Sequence, residues 1–185
     1  MTSVALTEGS HELGPSSGSL LLKTARSGLG RRAGHDLTLE VTRWSGQVSI
    51  DLGEPANSTV SAEIEVGSVE VREGTGGVLP LTGSDRDEIA KNIREKVLHT
   101  SAHPVITFRS TRVQGTPEVF TVEGDLTIMG RARAVTVSGR VSGDRLTGGA
   151  TVVQSQWGIK PYSALFGQLK VADPVEIAFD LELPG

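Results

Sequence analysis

The sequence predicts a mainly β fold: an antiparallel barrel of about eight or nine strands, with one surface helix after the first four strands. Three observations carry this. Short runs of alternating apolar and polar residues recur along the chain, separated by turn residues. Glycine is abundant at 23 residues and aromatics make up only 4%, so tight turns are frequent and any interior is lined mostly by aliphatic side chains. Helical periodicity is confined to one central stretch. A length of 185 residues suits a single domain.

Taken in order, residues 1–17 are polar and rich in Ser, Gly and Pro, and read as a flexible arm; residues 18–185 read as the barrel domain. Strand character begins at Ser19. Leu37, Leu39 and Val41 alternate with Thr38, Glu40 and Thr42; after Ser45-Gly46 the alternation resumes at Val48, Ile50 and Leu52, as in a hairpin with one apolar face. Val60, Ala62, Ile64 and Val66 make the next strand. Gly74, Gly76, Gly77, Pro80 and Gly83 break the pattern. A helix is expected from Ser84 to Leu98, with Ser84 and Asp87 as a capping box and Ile89, Ile93 and Val97 as a narrow apolar stripe. Pro104 returns the chain to extended geometry. Strands then follow at 106–113, 120–128, 135–141, 146–153 and 175–183. A long meander must close or expose sticky edges, and about eight strands close around side chains or one small ligand. A two-sheet sandwich fits the same alternation.

Several functions are disfavoured by composition. A net charge of −4 and a pI near 5.6 do not suit phosphate contacts, so no nucleic-acid partner is expected. The absence of cysteine removes disulfides and thiolate metal sites. The first residues lack a basic start and their apolar run stops after Leu6, unlike a secretory signal; no run approaches a membrane span, so a cytoplasmic location is expected. No nucleotide fingerprint, paired-carboxylate motif or Ser–His–Asp order stands out, so no catalytic residue, cofactor or metal is assigned.

Five segments together carry a resemblance to a known family. They are Ala33 to Leu52 (AGHDLTLEVTRWSGQVSIDL), Ser58 to Gly74 with its SVEVREG ending, Asp85 to Asp87 followed by Val97 to Thr111 (VLHTSAHPVITFRST), Phe120 to Val141 (FTVEGDLTIMGRARAVTVSGRV), and Trp157 to Leu183. The most specific pieces are His103 to Phe108 and Gly124 to Thr127. In order and spacing these segments resemble the YceI-like family, in a branch of bacterial relatives without a signal, across roughly Gly18 to Leu183. The resemblance implies an extended lipocalin-like barrel. It also implies non-enzymatic binding of a polyisoprenoid chain, such as a prenyl quinone or prenyl diphosphate, in an apolar channel.

On that expectation the tube is assigned to alternating apolar positions. Leu39, Val41, Val48, Ile50 and Ile64 come from the first half, and Phe108, Leu126, Ile128, Val137, Ile177 and Phe179 from the second. A filled barrel would use the same residues. The mouth, where a head group would be read, is assigned to Arg31, Arg32, His35, Asp36, Lys160 and Tyr162. Arg31 and Arg32 beside His35 suit an anionic head group, although a solvated loop is the simpler reading, and Tyr162 is an amphipathic ring suited to a rim. Two alternatives stay open: a small enzyme on an apolar substrate with His35 and Asp36 as acid and base, and a packed barrel whose acidic helix docks a partner. Edge strands and the arm are compatible with a homodimer.

Overall fold

Alternation of period two requires a backbone partner on each side, and the chain supplies one almost throughout. The computed structural model describes residues 8–26, 36–75, 81–161, 163–164 and 169–183. The strands are β1 (Gly9–Leu13), β2 (Gly18–Arg26), β3 (Asp36–Val41), β4 (Trp44–Ile50), β5 (Thr59–Glu65) and β6 (Val69–Thr75), then β7 (Val105–Gly115), β8 (Val119–Ile128), β9 (Arg131–Ser142), β10 (Arg145–Val153), β11 (Ser163–Ala164) and β12 (Leu169–Glu182). They form one antiparallel sheet in the order β1-β4-β5-β7-β8-β9-β10-β12-β2-β3-β6, with β11 attached to β12. The sheet wraps so that residues from nearly every strand in this order face one interior, giving a lipocalin-like barrel. Among the described residues no helix is long and apolar enough to cross a membrane.

The ladder differs from the sequence expectation in strand count. Among the described residues it holds eleven strands in the main ladder, besides β11, rather than eight or nine, and six rather than four precede the helix. The two extra strands are β1 and β6. Residues 9–13 fall in the segment read as a loose arm, yet pair with β4 from Gly9 opposite Ile50 to Leu13 opposite Gly46. Only Leu13 in this stretch is buried, so no alternation marks it; the pairing is carried by backbone groups. β6 reaches only Val69 and Val71 before its residues turn charged, and is held by pairing with β3.

Helix α1 (Gly83–Asn92) begins one residue before the expected start, and its cap is Thr82 rather than Ser84. The Thr82 hydroxyl accepts from the Asp85 amide at 3.0 Å, while the Thr82 amide donates to the Asp85 carboxylate at 3.0 Å. The helix ends in a widened π turn, Ile93–Val97. Ile89 and Ile93 bury against Leu37, Leu39, Val41 and Val69, so α1 packs on β3 and β6. Val97 and Leu98 pack into a second cluster around Ile128, Val152, Trp157 and Ile159. Antiparallel register places α1, the 129–130 turn and the short helix Gln154–Trp157 at one end of the barrel. The 51–58 connection and the turns at 116–118 and 143–144 lie at the other.

The capping geometry gives a direct check. Thr82→Ala should lower stability by about 1 kcal/mol in urea unfolding, while Ser84→Ala should change it by no more than a few tenths.

Candidate functional site: an apolar cavity in the barrel

Inward-facing positions of the wrapped sheet do not meet at the centre. They leave a cavity of about 270 Å³, just below the usual range for small-molecule sites. Val48, Ile50 and Ile64 line it from β4 and β5. Phe108, Leu126, Val137, Ile177 and Phe179 line it from β7, β8, β9 and β12. Three other positions assigned to the tube lie elsewhere. Leu39 and Val41 are buried under α1, and Ile128 packs with Trp157 and Ile159. These three pack beside cavity-lining residues such as Ile64 and Leu126, but one end of the barrel interior is filled, so a residue there meets a helix rather than open space.

The cavity reaches the surface beside Leu52, Gln114, Gly115 and Thr116, all exposed and all among its lining. This rim belongs to the 51–58 connection and the β7–β8 turn. Its polar groups are largely engaged in local structure. Asp51 accepts from the Glu54 amide at 2.9 Å, its own amide donates to the Ser58 hydroxyl at 3.0 Å, and the Val119 amide donates to the Thr116 hydroxyl at 3.2 Å. Among the described residues, His11 and Asp51 are the titratable side chains of the lining. Sequence reasoning passed over His11 as part of the arm; only its pairing opposite Val48 brings it to the cavity.

The two described residues assigned to the mouth, Asp36 and Lys160, are not at this rim. Asp36 opens β3 opposite Thr75, and Lys160 is exposed after the short helix Gln154–Trp157; neither lines the cavity. Arg31, Arg32, His35 and Tyr162 lie outside the described residues, and with them the His35–Asp36 pair.

The two tryptophans bracket the transition from packed to open interior. Trp157 is 2% exposed, and its indole Nε1 donates to the Leu126 carbonyl at 2.8 Å. Trp44 lines the cavity, and its Nε1 is buried with no acceptor among the described residues.

Comparison with known proteins matches this architecture. The sequence profile of the YceI-like domain matches residues 21–183. Among solved structures, BcnA of Burkholderia cenocepacia superposes with a TM-score of 0.67 at 20% identity, covering 90% of this chain and 96% of the other. A polyisoprenoid binding domain from Saccharophagus degradans implicated in plant cell wall breakdown gives 0.56 at 14%, covering 96% and 100%. The Campylobacter jejuni YCEI protein gives 0.57 at 12%, covering 78% and 82%. A search of curated proteins finds no match.

The indole environments predict unequal costs. Trp157→Phe should lose about 1–2 kcal/mol more stability than Trp44→Phe in denaturant unfolding, because only the former gives up a formed hydrogen bond.

Proposed function

This chain belongs to the YceI-like family, and on that footing we propose that it is a non-enzymatic carrier or store of a long apolar molecule. The ligand class is a polyisoprenoid lipid, such as a prenyl quinone or prenyl diphosphate, with its chain in the barrel. The observation that carries the reading is the apolar cavity, walled by aliphatic and phenylalanine side chains and open at one rim. The likeness to a fold described as a polyisoprenoid binding domain supports the same ligand class.

The energetics suit such a ligand. Each methylene equivalent taken from water contributes about 0.8 kcal/mol, so one isoprene unit contributes about 4 kcal/mol. A few units therefore exceed the cost of immobilising the chain. Carriage is favoured over catalysis because the described titratable lining amounts to two separated groups, Asp51 at the rim and His11 on β1 opposite Val48, among apolar side chains. The cavity speaks against a fully packed barrel that only docks a partner.

Native mass spectrometry of protein purified from a bacterial host, followed by organic extraction, tests the proposal. A stoichiometric adduct yielding a polyprenyl chain is expected. Val137→Trp, which fills the cavity from β9, should weaken binding of a prenyl quinone at least about tenfold. Clean protein that takes up neither prenyl quinones nor prenyl diphosphates on incubation would overturn it.

A further inference from the structure

Among the described residues, Phe108, Phe120 and Phe179 each lie over a glycine. A Cβ placed on Gly124 would stand 2.5 Å from the Phe108 ring, one on Gly139 2.5 Å from the Phe120 ring, and one on Gly148 2.6 Å from the Phe179 ring. Glycine inside a strand weakens it, and it marks places where another group approaches the backbone closely. Two of these pairs are joined in one row. Phe120 of β8 stands opposite Gly139 of β9, Gly139 opposite Gly148 of β10, and Gly148 opposite Phe179 of β12. Two neighbouring glycines thus form a floor, with a ring laid over each from either side.

The row has a definite place in the site. Phe120 pairs with Gly115, which lines the rim with Thr116 and Pro117. Both Phe120 and Phe179 line the cavity. The rings therefore form a collar just inside the opening. With the sheet fixed behind it, a ring displaced from its glycine has open space only toward the cavity.

The geometry points to Gly139 and Gly148, with Phe120 and Phe179, as the determinants of ligand cross-section: with the rings flat on the glycine floor, the opening admits a methyl-branched chain. This rests on the carrier reading and adds the residues that select the kind of chain. Gly139 is the clean position to test, because the three atoms nearest an added methyl there all belong to the Phe120 ring, whereas at Gly148 the nearest include the backbone of Ser138 and Gly139.

The test measures displacement of N-phenylnaphthylamine fluorescence by farnesol and by dodecanol, chains of equal backbone length with and without methyl branches. Gly139→Ala should raise the ring and weaken farnesol binding about tenfold, within what an added methyl costs in a packed interior, while dodecanol changes less than about threefold. Adding Phe120→Leu to Gly139→Ala should restore farnesol binding, a coupling expected only of residues in contact. Equal losses for both chains, or none, in a variant whose circular dichroism matches wild type would overturn the inference. If Gly139→Ala does not fold, Phe120→Trp and Phe120→Leu replace it. They must shift the farnesol-to-dodecanol preference in opposite directions, and shifts of one sign or none overturn the collar. If wild type binds no prenyl chain at all, the carrier reading falls; dye uptake then decides the collar, and uptake unchanged between wild type and Gly139→Ala overturns it.

Discussion

Backbone hydrogen bonds running unbroken from β1 through β12 to β6 hold each strand at the spacing and angle of its neighbours. Because strands twist and the ladder curls, one face of every strand turns inward. Alternate side chains then meet or fail to meet according to their size. Where helix α1 and Trp157 reach the interior they meet, and the end is packed. Where β4, β5, β7 and β8 run on toward the 51–58 connection, they do not, and a cavity remains. The ladder, more than any side-chain contact, decides that there is an inside at all.

The two ends of the barrel differ in chemistry as well as packing. The filled end is secured by apolar side chains and by one indole hydrogen bond to the Leu126 carbonyl. The open end is built from turns whose polar atoms satisfy one another, as Asp51 and Ser58 do across the 51–58 connection. The cavity wall is apolar, and Asp51 is the carboxylate that the described lining brings to the rim. Exposed ion pairs such as Arg145–Asp180 lie on the outer face, where the neighbouring carboxylate raises the guanidinium pKa further without altering its charge at neutral pH.

The phenylalanine–glycine row links composition to this arrangement. Glycine richness reads most simply as many turns, yet Gly124, Gly139 and Gly148 lie within strands and carry rings rather than bends. Ring burial offsets the intrinsic weakness of glycine in a strand. It also keeps bulky side chains close to the wall beside the cavity.

The sequence by itself determined the strand-rich fold, the single amphipathic helix with Ile89 and Ile93 inward, and the inward face of Val48, Ile64, Leu126, Val137 and Ile177. Each follows from a local period of apolar residues that a pleated strand or helix must present to one side. Tertiary structure alone decided the rest. β1 joins the ladder through backbone groups that no side-chain pattern reports, and so His11 comes to the cavity. Leu39, Val41 and Ile128 have the same alternation as the cavity wall but meet α1 or Trp157, because period two gives a face and not a height along the barrel. The opening lies by the β7–β8 turn, away from Asp36 and Lys160, because the distance of a loop from an interior is set by strand direction and register, which join residues far apart in the chain.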